Sequence, residues 1–286
     1  MEQTDIDQRR IARLKRPLTR YGAEVFRSVI YHYYAKHMRS FPWRETTNPY
    51  HILVSEVMLQ QTQTDRVLQK YLTFIERFPD FNSLALASMR DVLDSWVGLG
   101  YNRRALALKR AAQIVVFDYS GTLPCDENLL IKLPGIGRYS ASAICAFACN
   151  MPTVFIETNI RMVFRFLFRS ETMTDNSILE LVRQTVDADN PRDWYYALFD
   201  YGAMLKKLKP SKGYGSERKV TVPFSGSDRQ IRGAIVRKLI QYSNLTEAEI
   251  IGSLAIDQRR LSSILSRLQQ EGFIIRDGDR IKLAGE

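Results

Sequence analysis

The chain has 286 residues, 45% of them hydrophobic and 25% charged, an ordinary globular composition with room for two compact units that excludes a disordered chain. Lysine and arginine number 41 against 31 acidic residues, giving a formal charge of +10, a field that attracts polyanions, either nucleic acid or an acidic membrane surface. No apolar run reaches bilayer-spanning length, and the opening Met1-Glu2-Gln3-Thr4-Asp5 lacks the basic-then-apolar order of a secretory signal; the expected location is cytoplasmic and nucleoid-associated.

Residues 1–20 read as a polar N-terminal segment. Helical periodicity then dominates from Arg20 to Ala203, which predicts an all-α body. Asn48 and Pro49 look like a cap and first-turn proline opening a helix that runs through Gln61, with Ile52, Val54, Val57, Met58 and Leu59 packing inward. Glu56 lies inside that apolar stretch. Residues 126–132 repeat at helical spacing and should stop at Leu133, because Pro134 fixes its own φ and disfavours helical backbone before it. Gly135 and Gly137 can take positive φ and have no side chain to hold an anion away, and a new helix opens at Arg138 with its unpaired N–H groups forward. The segment Leu133-Pro-Gly-Ile-Gly137 therefore reads as a hairpin that brings bare backbone to a phosphate; an ordinary tight turn is the competing reading.

The helix from Arg138 to Phe147 is rich in small residues. Asn150-Met151-Pro152 turns the chain into residues 153–156, and Glu157 and Asn159 stand just before a helix at 160–168. Cys125, Cys145 and Cys149 have no metal-ligand spacing and read as small core residues. Residues 206–226, with Pro210, Gly213, Gly215 and several lysines, read as an exposed basic linker. Beyond it, residues 227–286 form a separate module: helices at 229–241, 247–254 and 258–270, then a β-hairpin of 273–275 and 281–283 about Asp277-Gly278-Asp279. That order resembles a winged helix-turn-helix, although a small cap or protein-docking module has the same pattern.

Four motifs stand in a family-like order: Phe41-Pro-Trp-Arg44, Ser55-Glu-Val-Met-Leu-Gln-Gln-Thr-Gln63, Trp96-Val-Gly-Leu-Gly-Tyr101 and Leu133-Pro-Gly-Ile-Gly137. With them the chain resembles the helix-hairpin-helix DNA glycosylases, and within these the adenine glycosylases of the MutY type, over about residues 21–204. The resemblance implies a two-lobed all-α helix-hairpin-helix body, with a six-helix lobe at about 46–157 and a second lobe from 21–45 and 158–205, followed by the small α+β module. It implies a monofunctional enzyme that hydrolyses the N-glycosidic bond of a flipped adenine, opposite 8-oxoguanine or G, and leaves an abasic site.

On that resemblance Glu56 would be the general acid at adenine N7, its burial raising the carboxyl pKa in the required direction. Glu157 would stabilise the sugar cation with Tyr139 and Asn159 beside it. Trp43, Arg44 and Gln61 would line the base pocket, Gln61 filling the gap left by the extruded base. Gln60, Tyr101, Gly135, Gly137 and Arg138 would hold DNA, Tyr101 as a wedge beside the partner base. Tyr139 stands where strand-cleaving relatives carry a nucleophilic lysine, which implies no strong lyase activity.

Three departures qualify the resemblance. Glu157 replaces the family's aspartate and extends the carboxylate by one methylene. No cysteine follows Cys149, so neither the four-cysteine iron–sulfur cluster nor another resident metal is expected, and a monovalent cation at the hairpin is the remaining ion the resemblance leaves room for. The C-terminal module does not resemble the domain with which typical members read oxidised guanine. The expected partner is double-stranded DNA carrying a mispaired or damaged base, bound by a monomer with no membrane role. A mismatch thymine/uracil or damaged-pyrimidine glycosylase, and a catalytically weak DNA-binding regulator using the winged helix, stand as alternatives.

Overall fold

In a computed structural model of the chain, residues 2–14, 16–208 and 226–285 are described. Most of the basic linker at 206–226 lies outside them. The chain divides into two compact units, one of residues 1–52, 125–131 and 136–218, the other of residues 53–124, 132–135 and 219–286.

The first unit holds α1 (Glu2–Ala12), α2 (Arg20–His37), a 3-10 turn at Pro42–Arg44, α8 (Glu127–Leu130), α9 (Arg138–Cys149), α10 (Thr158–Leu167), α11 (Asp175–Thr185) and α12 (Pro191–Leu208). The intervening labels belong to the second unit, and α3 (Pro49–Leu59) passes from one to the other. Aromatic side chains make the core: Phe26 stacks on Phe164 at 4.8 Å and meets Trp194 edge-on at 6.0 Å, geometries that suit the ring quadrupole. Helix α12 packs on α10 and α2. Gly202 permits the α10 approach, since a Cβ there would stand 2.5 Å from Asn159 Cβ and 2.7 Å from its carbonyl oxygen.

Much of the stretch expected as a polar segment is helix α1. It docks on α10 because Ile11 is fully buried and the Gln8 amide donates to the Phe166 carbonyl at 2.7 Å. By packing, α8 and α9 join this unit, whereas the sequence places residues 46–157 together in one lobe. Cys145 is buried and free, as expected of a small core residue, but Cys125 and Cys149 are not two more: they form a disulfide with Cα atoms 6.0 Å apart. The chain entering α8 folds back onto the last residue of α9, a proximity that pairwise spacing in the sequence does not reveal.

The second unit holds α4 (Thr64–Arg77), α5 (Phe81–Leu86), α6 (Met89–Trp96) and α7 (Arg103–Asp118). Asp80 and Ser88 cap α5 and α6 by accepting from the N–H groups of Ser83 and Asp91, which occupies donors the helix starts leave unpaired. Phe74, Trp96, Val92 and Leu108 are buried between these helices. Lys109 is buried too; its ammonium donates to the Ala85 carbonyl in the last turn of α5 at 2.6 Å, and burial draws its pKa below the ordinary lysine value.

The C-terminal module belongs to the same unit and contains α13 (Asp228–Tyr242), β1 (Asn244–Thr246), α14 (Glu247–Leu254), α15 (Gln258–Gln270), β2 (Ile274–Asp277) and β3 (Arg280–Leu283). The three helices and the hairpin follow the expected order. Strand β1 is additional and pairs antiparallel with β3, Leu245 opposite Ile281, giving a sheet ordered β1-β3-β2. Three residues are too short for alternation to reveal a strand. The module seats on α6 and α7: Arg90 donates to the Leu239 and Ile240 carbonyls in the last turns of α13, and Arg103 and Arg232 converge on Glu271. Burial opposes ionisation of Glu271, but hydrogen bonds and charge from Arg232 and Arg103 outweigh it and hold its carboxyl down at about 2.

The disulfide closes a loop of 24 residues around the 131–137 turn, a length for which cross-linking contributes about 3 kcal/mol. Thiol titration of the unreduced, denatured protein is expected to find one reactive thiol, Cys145, and Cys125→Ser to lower the urea midpoint; three reactive thiols would remove the disulfide.

Candidate active site and DNA-facing loops

Pro49 opens α3, and the Asn48 side chain accepts from the Tyr50 N–H at 2.9 Å. Glu56 sits in the interior of this helix at 7% exposure, flanked by the buried Ser55 and Val57. The helix ends at Leu59 rather than running through Gln61, because an arginine from α7 takes its closing carbonyls. Arg104 Nη1 donates to Val57, Met58 and Gln60 at 3.0, 2.7 and 2.6 Å. Its Nη2 reaches Thr62 Oγ1 at 2.9 Å and the carbonyls of Leu99 and Gly100 at 3.2 and 3.1 Å. A cation suits the negative end of α3. Burial pulls the Arg104 pKa down to about 10, yet the group keeps its proton at any working pH.

One consequence is a turn in which Gln61 takes φ +55 and stands exposed. The other is the loop after α6. Gly98 and Gly100 adopt φ +100 and +72, Trp96 Nε1 donates to the Gly100 carbonyl at 3.1 Å, and Tyr101 follows at φ +50 with 43% of its surface exposed. The expected exposed tip is therefore present. Its phenol oxygen accepts from Arg229 Nη1 of α13 at 2.9 Å.

At the hairpin α8 is short, capped by Asp126, whose carboxylate accepts from Asn128 N at 2.7 Å. The next helix starts at Arg138 as expected. Only one of the two glycines uses positive φ. Gly135 has φ +78, and a Cβ on it would lie 2.8 Å from Ala107 Cβ; its carbonyl accepts from Gln60 Nε2 at 3.1 Å. Gly137 is extended (φ −92, ψ 177) at the N-cap of α9, with no side-chain cap bond and nothing within 4 Å of a Cβ. Gly137 and Arg138 are exposed.

Within the first unit, Tyr139 is half-buried on the first turn of α9 with its ring edge-on to Phe155 at 5.6 Å. Glu157 is the N-cap of α10: Oε1 accepts from the N–H groups of Asn159 and Ile160 at 2.6 and 2.9 Å, and Oε2 from Asn159 Nδ2 at 3.3 Å. Asn159 is thus in the first turn of the helix, not before it. Burial raises the Glu157 pKa, and the bonds from Asn159 and Ile160 and the charge of Arg161 only partly counter it. Trp43 is 4% exposed and stacks on Phe41 at 5.1 Å. Arg44 binds the buried Asp200 through both terminal nitrogens, at 2.9 and 3.0 Å, and lies 4.5 Å over the Tyr196 ring. Asp200 also receives Arg39 N and Nε at 2.9 and 2.6 Å.

Glu157, Asn159, Tyr139, Trp43, Arg44, Gly137 and Arg138 therefore belong to the first unit, and Glu56, Gln60, Gln61, Tyr101 and Gly135 to the second. The supporting residues Arg104, Asp200, Gly202 and Arg229 are absent from the sequence-derived site; a charged residue inside a helical apolar repeat is the signal for Arg104 and Asp200, and none marks Arg229. Among the described residues no group of three or more histidine, cysteine, aspartate or glutamate side chains could hold a metal ion.

The HhH-GPD superfamily of base excision DNA repair proteins matches residues 54–187. Over 283 residues the chain is 30% identical to the adenine DNA glycosylase of Mycobacterium tuberculosis (strain H37Rv), covering 89% of this chain and 92% of that one. The chain belongs to the adenine DNA glycosylase family of this superfamily. It is 34% identical to the adenine DNA glycosylase of Buchnera aphidicola over 61% of this chain, and spans about half (50%) of that relative's length. Among solved structures it is similar to a thermostable thymine-DNA glycosylase, at a TM-score of 0.61 and 28% identity over 67% of this chain and 90% of that one. An endonuclease III–DNA complex, at a TM-score of 0.54 and 17% identity over 68% of this chain and 89% of that one, shares the fold.

The two hairpin glycines make opposite demands on an adenine glycosylase of this shape. Gly135→Ala is expected to lose about 1–3 kcal/mol in urea unfolding, from strained backbone and the Ala107 contact, whereas Gly137→Ala is expected to stay within about 0.5 kcal/mol of the parent. Equal losses would contradict the assignment.

Proposed function

We propose that this protein excises adenine from mispaired duplex DNA, hydrolysing the N-glycosidic bond and leaving an abasic site without strong strand cleavage. The observation that carries the reading is the match to 92% of the length of the Mycobacterium tuberculosis adenine DNA glycosylase. A base inside a duplex is out of reach, so the nucleotide is extruded first. Glu56, buried on α3, gives its proton to N7 as the C1′–N9 bond breaks with its electron pair going to adenine, and water adds to the sugar cation and loses a proton to the carboxylate so formed. Glu157 faces that cation, with Tyr139 and Asn159 beside it. The extra methylene of Glu157 folds back to cap α10, and two backbone N–H groups fix its carboxylate.

Gln61 and Tyr101 hold the gap in the duplex. The backbone about Gly135 and Gly137, with Gln60 and Arg138, approaches phosphate. Trp43 walls the base pocket; Arg44, its charge compensated by Asp200, lies 5.2 Å over Phe41, which in turn stacks on Trp43. Tyr139 has no amine with which to form a Schiff base. No step calls for a cluster, and no cysteine follows Cys149.

Single-turnover base release should be followed from duplexes carrying A opposite 8-oxoguanine, A opposite G, T opposite G and U opposite G, each read with and without alkali. Adenine release, with breaks only after alkali, is the expected result. Release from the T or U duplexes alone would move the enzyme to the thymine/uracil reading, which the likeness to the thymine-DNA glycosylase favours. No release alongside tight binding would leave a regulator.

Glu56→Gln is expected to slow release by about 100-fold or more while duplex affinity is retained; unchanged turnover removes Glu56 as the acid. Glu157 must be ionised to act, and its raised pKa puts the acidic fall in rate above the ordinary glutamate value of 4.5. The same shift has the opposite sign for stability, because the folded state binds that proton more tightly: its contribution is full at low pH and is lost as pH rises through the folded pKa. A pH–rate profile with its acid limb below 4.5 contradicts the assignment.

A further inference from the structure

A cleft of about 710 Å³ lies within the second unit between the loop after α6 and helix α13 of the C-terminal module. Gln61, Gly98 to Asn102 and Arg66 line one side, Arg229, Gln230, Gly233 and Arg237 the other. Arg103 and Arg232 also border it and no carboxylate does. Glu271 pairs with both Arg103 and Arg232, one negative charge against two positive. Arg66 and Arg237 are exposed and enter no ion pair among the described residues. The cleft thus carries uncompensated positive charge around one exposed aromatic ring.

That ring is Tyr101, and Arg229 lies over it at 5.3 Å from the centroid while donating to its hydroxyl. Arg104 lies 5.6 Å from the same ring. Any DNA that meets the tip of Tyr101 therefore meets Arg229 as well. Gln61, Asn102 and Gln230 add side-chain amides that can donate to and accept from a base edge, as arginine can donate to guanine. An aromatic face, amides and free arginines together suit an unstacked nucleotide and its phosphates.

We propose that α13 of the C-terminal module is a wall of the DNA-binding surface, and that this cleft holds the nucleotide left unpaired when the adenine is extruded. Arg237 and Arg66 bind the phosphates of that strand, Gln230 faces the unpaired base, and Arg229 is a positioning residue that sets Tyr101. The inference rests on the glycosylase reading for its occupant and on the cleft alone for its charge.

The test measures duplex binding by the full chain across salt concentrations, with a stable abasic analogue opposite each of the four bases. Arg237→Ala is expected to weaken binding to all four and to lower the slope of log affinity on log salt by about 1, as loss of one phosphate contact requires; Arg237→Lys should restore the slope. Arg229→Ala should compress the preference among the four partner bases. Tyr101→Phe with Arg229→Ala should be no worse than the poorer single variant, because the two act together. Unchanged affinity, slope and preference overturn the proposal. Tighter binding by Arg229→Ala also overturns it, making the module a latch over Tyr101. If the parent releases no base from any duplex but Arg237→Ala still lowers the slope, the cleft stands as a DNA site and the glycosylase reading falls.

Discussion

Arg104 is the constraint on which the end of α3 and the loop before α7 depend. Its terminal N–H groups are shared among oxygens of Val57, Met58, Gln60, Thr62, Leu99 and Gly100, and its Nε is buried without a partner. Backbone carbonyls taken out of water need donors, and an unmade bond costs about 1–3 kcal/mol. A planar guanidinium offers five donors in a fixed fork to the two segments, where a lysine ammonium offers three on a flexible stem. One side chain therefore decides where α3 stops, how Gln61 turns out, and how the chain from Leu99 presents Tyr101. The helix that carries Glu56 and the loop that carries Tyr101 are held by the same group.

The first unit has a counterpart in Asp200. A carboxylate at 2% exposure is tolerable only when its charge is met, and Arg44 and Arg39 meet it with paired hydrogen bonds. Without Arg44, Asp200 would keep only the partly exposed Arg39, and without Asp200 the buried Arg44 would lose its carboxylate. The pair fixes the 3-10 turn that carries Trp43, so Arg44 holds the backbone of the motif in which it stands. Glu157 likewise organises its surroundings as the N-cap of α10, with Oε1 accepting from two backbone N–H groups and Oε2 from the Asn159 amide.

Much of this was legible in the residues. Pro134 and the glycines around it place the start of α9 at Arg138, and Gly98 and Gly100 place Tyr101 on an exposed tip, because backbone chemistry acts locally. The three helices and hairpin of the C-terminal module follow from periodicity for the same reason. What escaped depends on long-range partners. The end of α3 is set by an arginine more than 40 residues away. Helix α1 is held by burial of Ile11 and a bond to α10, strand β1 by pairing with β3, and the Cys125–Cys149 disulfide by a chain reversal; none has a local signature. Both hairpin glycines could take positive φ; Gly135 does, whereas Gly137 is extended, with open space where a Cβ would stand.

The most direct test of the account is amide hydrogen exchange on Arg104→Lys. If one guanidinium fixes both segments, residues 57–62 and 97–101 will lose protection together while α4 keeps its own, and base release will slow in parallel. Retained protection in both segments, or loss confined to one, would contradict it.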